Sequence, residues 1–491
     1  MSLFSKHLDR AHAPVVYAAL AIGIAVLVDG CGAGYRPVVT PINPSGPAPQ
    51  PSSIAVVISS PAPASPGVAT IIDYSGDTIV AQSPIGIGPI SFSLDQTGST
   101  GYTYNSDGTV TNFPASSGLQ QKNVTVTTLP ENSVPVNMFS PSAGLWMTDL
   151  AGNLVNVFTG SPETFKLSIP VAPNPVMVIG PGVVSQRNYA ITQGAVANGA
   201  VCNNSPTAAP AGEADAIEVS SNTVSAKIPL GKCPVYALQN SDGRRLFVLN
   251  RGSDTITVIN VQNNTLDACT PFQNQNGQTV TCHPSLPLST SAGLAGAHVP
   301  AVAGPVYAEY NIATSQLIVA DYDGGTVSVI DVSLDEFGND SPTFGTTFTI
   351  PVGRNPASVT VLYDGSRAYT ANQTDQTVTV VNVPSHTVEK TVAVTGHPRT
   401  VVSTQNSLYG KVYVASPDSP YLTIIRTDED IVDATVLVQG NILDVRTSTQ
   451  NAVSGNAINI SRKPGFGQPC YLPGATAAAT YASCTTLPAA P

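Results

Sequence analysis

Leu246–Asn250 (LFVLN) and Thr255–Asn260 (TITVIN) are two β-rich runs separated by the short polar segment Arg251–Asp254. In the second run isoleucine and valine alternate with threonine, which places apolar side chains on one face of a strand and hydroxyls on the other. Two such runs joined by a short polar turn predict an antiparallel β-hairpin. This pair of runs defines a hairpin signature that can be compared with the rest of the chain.

The signature recurs at Leu317–Asp321 (LIVAD) with Thr326–Asp331 (TVSVID), and at Ala368–Asn372 (AYTAN) with Thr377–Asn382 (TVTVVN). A glycine followed within two to four residues by a proline precedes each unit, and the closest prolines of this marker are 42 residues apart. A period of about 40 residues with four strands in each repeat is typical of β-propeller blades. The sequence predicts an all-β propeller of four-stranded blades over residues 68–465.

The number of blades follows from the inner strands, which begin near Ile90, Val136, Val176, Val235, Val306, Ser358 and Thr400. A further set, Ile442–Val445 with Ala457–Ile460, has no strands after it. Strands at Ala69–Asp73 and Thr78–Gln82 can complete that set, which gives a closing blade built from both chain ends and removes an exposed sheet edge. This count favours eight blades.

These units resemble the YVTN-type β-propeller repeat proteins. A blade of that family runs Gly-x-x-Pro, an inner strand, a strand like Tyr-Val-Ala-Asn, a strand like Val-Ser-Val-Ile-Asp and an outer strand. The resemblance is clearest over residues 230–440 and implies seven blades. In that alternative, residues 442–460 lie outside the ring.

The amino-terminal residues carry export signals. Lys6 and Arg10 precede an apolar run from Ala13 to Val28, which predicts a signal peptide over residues 1–30. Val28-Asp29-Gly30-Cys31 resembles a bacterial lipobox, which implies lipid on Cys31, a Pro/Ser-rich tether over 31–67 and a place in the cell envelope, at the periplasmic face or the outer membrane. The alternative is an ordinary cleaved signal that leaves Cys31 free.

Six further cysteines form an even set, as an exported chain requires for full oxidation. Their spacing favours three bridges, although about 15 connectivities are open to six cysteines. The favoured pairs are Cys202 with Cys233, Cys269 with Cys282, and Cys470 with Cys484, the last closing a tail over 466–491.

The formal charge of −11 argues against a nucleic-acid partner, because such a partner requires a broad basic surface. Lys232, Arg354 and His397 nevertheless share one repeat position beside the predicted propeller mouth, with Arg251 and Arg399 nearby. These five cations predict a mouth that binds a protein or a small anionic ligand. The alternative is that they are loop charges paired with Asp321 or Asp323.

Two classes of function remain open. The first is a non-catalytic binding or scaffolding module anchored by its lipid. The second rests on a distant resemblance to lactonase-like propellers, and would recruit His298, Glu309, Arg251 and Asp321 at the mouth. Nucleophile-elbow, zincin and P-loop motifs are missing from the sequence, and convergence of His298, Glu309 and Arg251 on one pocket would distinguish the hydrolase.

No cofactor or metal is expected. Quinone-dependent propellers depend heavily on tryptophan, and this chain has one, Trp146. Asp321–Gly325 lacks the later ligands of a calcium loop. Asn250, Asp321 and Asn372, which recur at the end of the second strand, are expected to cap turns by bonding backbone two residues on.

Overall fold

The computed structural model describes residues 54–62, 64–95, 98–140, 144–180, 187–195, 202, 206–274, 276–288, 302–404 and 410–448. Within them the chain forms eight antiparallel blades, each with four strands in order from an inner to an outer edge; one blade pairs an additional short strand, and a separate two-stranded sheet lies beside it in the sequence. Two short 3-10 turns are found at Gln121–Asn123 and Pro206–Ala208. All described residues belong to one structural unit.

The eight sheets are blades 1 to 8, numbered from the amino-terminal side. Blades 1 to 4 comprise β1 (Ile54–Ser60), β2 (Pro66–Asp73) and β3 (Ile79–Ile87); β4 (Pro89–Leu94), β5 (Thr100–Asn105), β6 (Thr109–Pro114) and β7 (Thr125–Thr128); β8 (Pro135–Phe139), β9 (Leu145–Asp149), β10 (Leu154–Thr159) and β11 (Thr164–Pro170); and β12 (Pro175–Ile179), β13 (Arg187–Thr192), β14 (Ala211–Glu218) and β15 (Thr223–Lys232).

Blades 5 to 8 follow the same plan with one elaboration in blade 5. They comprise β16 (Pro234–Gln239), β17 (Arg245–Asn250), β18 (Thr255–Asn260) and β19 (Thr265–Leu266), with β20 (Phe272–Gln273), β21 (Thr279–Val280) and β22 (Ser285–Pro287); β23 (Pro305–Asn311), β24 (Gln316–Asp321), β25 (Thr326–Asp331) and β26 (Thr347–Pro351); β27 (Pro356–Val361), β28 (Arg367–Asn372), β29 (Thr377–Asn382) and β30 (Thr387–Ala393); and β31 (Thr400–Ser403), β32 (Lys411–Ala415), β33 (Tyr421–Arg426) and β34 (Ile431–Leu437).

Blade 1 closes the ring with strands from both chain ends. Its fourth and innermost strand is β35 (Asn441–Ser448), which pairs antiparallel with β1 in a register that sets Val57 opposite Val445. β35 lies between the inner strands of blades 8 and 2, so the ring of inner strands is continuous. The predicted eight-bladed propeller with a two-ended closing blade is therefore confirmed, and Ala457–Ile460 lies outside the described residues.

One strand of the closing blade lies where the sequence predicted a tether. Ile54–Ser60 is completely buried between β2 and β35, although it falls inside the segment 31–67 that was assigned to the tether. The run IAVVISS is short and is flanked by proline-rich sequence, so composition averaged over the whole segment concealed its β-branched residues. The described propeller thus begins at Ile54 instead of residue 68.

The Gly-to-Pro marker and the recurring Asn fit against each other. Asn250 donates to Thr255 Oγ1 at 3.2 Å and Thr257 Oγ1 at 2.8 Å on the third strand, and Asn372 donates to Thr377 and Thr379 in the same way. A Cβ on Gly231 would lie 2.7 Å from Asn250 Cγ, and one on Gly353 would lie 2.6 Å from Asn372 Cγ. The glycine is required because the asparagine side chain occupies the space beside it.

This geometry corrects the expected role of the recurring Asn and Asp side chains. They bond hydroxyls five and seven residues later on the next strand, and not the backbone two residues on. Asp321 occupies the same position in blade 6 and accepts from Thr326 Oγ1 at 3.1 Å and Ser328 Oγ at 2.6 Å. These side chains are structural, as predicted, but they join the second and third strands of a blade instead of capping a turn.

Candidate functional site

The loops that enter the inner strands and the loops that join second to third strands open at the same end of the ring. The Arg251 amide donates to Cys233 O at 3.0 Å, and the Gln373 amide donates to Asn355 O at 3.1 Å, so each pair of loops lies side by side. We call this end the mouth. The repeat alignment predicted that five basic residues lie beside the mouth, and the structure shows which partners each of them has.

Arg354 and His397 are held by carboxylates in the adjacent loops. The backbone amide of Arg354 donates to Asp375 Oδ2 at 2.6 Å, and its Nε donates to Oδ1 at 2.6 Å. His397 repeats the arrangement with Asp418, at 2.8 Å from its backbone amide and 2.6 Å from Nδ1. Each of these two residues therefore has its backbone amide and its side chain bonded to a single carboxylate, which fixes the loop conformation.

Lys232 is held in a similar way, but its partner in the adjacent loop is the neutral side chain of Ser253 instead of a carboxylate. Its backbone amide donates to Ser253 Oγ at 3.2 Å, and its Nζ reaches Thr207 O at 3.0 Å. Ser253, Asp375 and Asp418 each follow their partner by 21 residues. Asp375 was missed by the sequence reasoning, and this constant spacing is the signal that reveals it.

Arg251 is buried between blades 5 and 6. Its Nε and Nη2 donate to the two carboxylate oxygens of Asp323 at 2.8 and 2.7 Å, and its guanidinium lies 5.3 Å from the centre of the Tyr322 ring. Only 6% of its side chain is exposed. This pair therefore joins two blades and presents little positive charge to the mouth.

Arg399 is half-buried and turns toward the closing blade. Its Nη2 donates to Leu443 O on β35. Burial lowers the pKa of Arg399 to about 10, with the charge of Arg446 acting in the same direction and Asp444 opposing both. The Arg399 side chain thus links blade 8 to the closing blade, blade 1.

The residues named for a lactonase-like site are engaged separately. Glu309 is buried on β23, and its Oε2 accepts from the Val361 amide at 2.8 Å on the neighbouring inner strand. Asp321 is buried against Thr326 and Ser328, and burial raises the pKa of Asp321 to about 7. Arg251 is paired with Asp323, and His298 lies outside the described residues.

The register along β23 separates the buried glutamate from the mouth. Pro305 lies opposite Asp321 at the mouth end, and Glu309 lies opposite Ile318, four residues further along the strand, which is about 13 Å. Arg251 belongs to a mouth loop. Among the described residues, no group of three or more His, Cys, Asp or Glu side chains could hold a metal ion.

Two of the three predicted disulfides are present. Cys202–Cys233 ties the segment after β13 to the mouth loop of blade 5, and Cys269–Cys282 closes the insertion of blade 5. Cys470 and Cys484 lie outside the described residues. Disulfides of this kind indicate an oxidising, extracytoplasmic compartment. In the part of the chain that is described, no helix is long and apolar enough to span a membrane.

Comparison with known proteins identifies the fold class alone. No family model and no curated protein matches the sequence. Solved structures that are similar include Citrobacter koseri AztD (12% identity, 80% of this chain, 97% of that chain, TM-score 0.53), Saccharomyces cerevisiae Sqt1 (9%, 72%, 87%, 0.51) and the dihydro-heme d1 dehydrogenase NirN in complex with DHE (13%, 83%, 79%, 0.51). The chain is an eight-bladed β-propeller, and these identities carry no function across.

Proposed function

We propose that the protein is a non-catalytic binding or scaffolding module of the cell envelope, held at a membrane by lipid on Cys31. The lipobox-like Val28–Cys31 and the Pro/Ser-rich residues before Ile54 support the anchor. The two disulfides support an exported location. The repeat units resemble those of YVTN-type propellers, and the proposal treats the chain as a lipoprotein relative of that kind.

The observation that carries the proposal is the way in which the mouth cations are fixed. Asp375 binds the Nε edge of Arg354, while 74% of the arginine side chain is exposed, so the other edge of the guanidinium is open to a partner. In the next blade Asp418 holds Nδ1 of His397 in the same way, while Nε2 of the ring lies 3.1 Å from Gln376 Nε2. Cations that are ordered before binding lose little entropy when a carboxylate or phosphate arrives.

Arg354, His397 and Lys232 are therefore the proposed contact residues, and the partner is a protein or small molecule that presents anionic groups. Arg251 and Arg399 contribute to the same face by holding blades 5 with 6 and 8 with 1. The hydrolase alternative is not proposed, because Glu309, Arg251 and Asp321 each have other bonding partners.

Site-specific photo-crosslinking in cells tests the mouth. A crosslinking residue at Arg354 is expected to give a discrete adduct that is lost when His397 and Lys232 are changed to Glu. The matched control is Lys166, an exposed lysine on the outer strand β11, which should give no such adduct. Equal crosslinking from positions 354 and 166, or adducts that persist in the charge-reversal variant, would rule out the mouth as the contact surface.

A further inference from the structure

Blades 5 and 6 carry insertions at the end of the propeller opposite the mouth. Arg245 pairs with Asn260 at that end of blade 5, whereas Asn250 pairs with Thr255 at the mouth end. The blade 5 insertion contains the β20–β21 hairpin inside the Cys269–Cys282 disulfide. The blade 6 insertion follows β25 and is closed by a bridge between Leu334 and Asp340. Neither insertion is needed for the four-stranded plan that the other blades follow.

A buried charge cluster fastens the two insertions together. Arg245 Nη2 lies 3.2 Å from Asp267 Oδ1 and 3.1 Å from Asp340 Oδ1, and all three side chains are at most 3% exposed. His283 bonds Asp340 Oδ2 through its backbone amide at 3.1 Å and through Nδ1 at 2.8 Å. The His283 ring also stacks on Phe344 with centroids 5.2 Å apart. The insertions therefore form one rigid platform.

This platform holds two phenylalanines in solvent. Phe272 on the hairpin is 43% exposed, and Phe337 on the blade 6 insertion is 45% exposed. A hydrogen bond of 3.0 Å from Asn276 Nδ2 to Glu336 Oε1 joins the segments that carry them. Ordering two insertions around exposed aromatic rings costs free energy, and aromatic side chains held in solvent on segments that bond each other are suited to contact a partner.

The charges beside the rings identify the occupant. Asp335 accepts from the amides of Phe337 at 2.9 Å and Asn339 at 2.8 Å; burial acts to raise the pKa of Asp335, but these bonds and the Asn339 side chain hold it below its usual value. Glu336 is exposed, and neither acid is in an ion pair within the described residues. An anionic membrane or a nucleic acid would bring like charge to the surface, whereas a protein segment with basic side chains complements it.

We propose that the surface formed by Phe272, Phe337, Asp335 and Glu336, the two-insertion surface, docks a segment of another protein that carries apolar and basic side chains. The rings would take the apolar residues and the two carboxylates the basic ones. The inference rests on the proposed binding function, but it assigns a second contact face that is independent of the mouth.

The direct test is fluorescence anisotropy with the purified full chain and a short labelled peptide of alternating leucine and lysine. We expect saturable binding that Phe272→Ser with Phe337→Ser weakens about tenfold or more. Phe165→Ser is the matched control, because Phe165 is also 45% exposed but lies on the outer strand β11, and it should leave the affinity unchanged. Glu336→Lys should weaken binding, and a leucine–glutamate peptide should not bind.

Three results would overturn the inference: no binding of the leucine–lysine peptide, an unchanged affinity in the double variant, or an equal loss with Phe165→Ser. All of the substituted phenylalanines are exposed, so the variants should keep the wild-type thermal midpoint, which shows that any loss is local. Crosslinking from Arg354 should persist in the double variant. Loss of peptide binding with intact mouth crosslinking separates failure at one face from failure at the other.

Discussion

Arg354 at the mouth and Arg245 at the opposite end of the propeller use their charges in opposite ways. At the mouth, Arg354 and Asp375 pair within one blade, and the arginine side chain is 74% exposed. At the opposite end, Arg245 is 3% exposed and shares two carboxylates that belong to different blades. Exposed pairs contribute little to stability, whereas a buried charge that loses its partner is costly. The exposed charge of Arg354 is available for the binding role proposed above, whereas the buried charge of Arg245, like that of Arg251 at the mouth, holds neighbouring blades together.

The largest expected effect is at the buried cluster. Arg245→Met leaves Asp267 and Asp340 buried together without their shared cation, and should lower the free energy of unfolding by about 3–5 kcal/mol. Burial raises the pKa of Asp267 to about 6, and Arg245 opposes that shift. In the variant the loss should therefore be greater at pH 8 than at pH 5. Urea unfolding at both pH values measures it, and a loss below about 1 kcal/mol would contradict the assignment.

The next effect distinguishes Asp321 from its equivalents Asn250 and Asn372. Burial raises the pKa of Asp321 to about 7 from an ordinary value near 3.8, so the folded state favours the protonated acid. Ionisation of Asp321 therefore does not change the free energy of unfolding below about pH 4. It lowers that free energy progressively as the pH rises from about 4 to 7, and the loss stays constant at higher pH. Asp321→Asn should donate to Thr326 and Ser328 as Asn250 and Asn372 do in their blades, and remove that penalty.

The expected gain for Asp321→Asn is at most about 4 kcal/mol at pH 8, since one pKa unit corresponds to about 1.4 kcal/mol. The gain should vanish near pH 4. Thermal unfolding from pH 4 to pH 8 follows it, with Asn372→Asp as the reciprocal variant that should introduce the same pH dependence in blade 7. A gain that does not change with pH would show that ionisation of Asp321 has no part in it.

The smallest effect is predicted at the mouth. Arg354→Ala should change the free energy of unfolding by less than about 1 kcal/mol, because its pair with Asp375 is exposed and screened by solvent. When the crosslinking residue is placed at position 397 instead of 354, the same variant should abolish the mouth-dependent adduct. A large loss of stability would mean that the mouth charges are structural, and the contrast between the two ends would no longer hold.

The sequence predicted the strands well where alternation and turn spacing repeat. The hairpins at 246–260, 317–331 and 368–382 and the two-ended closing blade are local patterns that a single chain displays. Ile54–Ser60 was missed because its neighbours are rich in proline and serine. The repeat position of Arg354 and His397 predicted that they lie in loops at the mouth. It could not predict that their side chains turn toward carboxylates in the adjacent loops.

Arg399 and the insertions show what sequence reasoning lacks. Arg399 follows the same marker as His397, yet it bonds Leu443 because the neighbouring blade comes from the far end of the chain. The cluster around Arg245 joins residues up to 95 positions apart, and no local pattern contains it. The exposed Phe272 and Phe337 belong to different blades, and they form one surface only because blades 5 and 6 lie side by side.

Intact mass spectrometry of the protein extracted from membranes determines whether the chain is anchored by lipid on Cys31. We expect a mature chain that begins at Cys31 and carries acyl mass, with the remaining six cysteines oxidised. A Cys31→Ser variant should lack the acyl mass and be released from the membrane. An unacylated wild-type protein recovered in the soluble fraction would contradict the anchor.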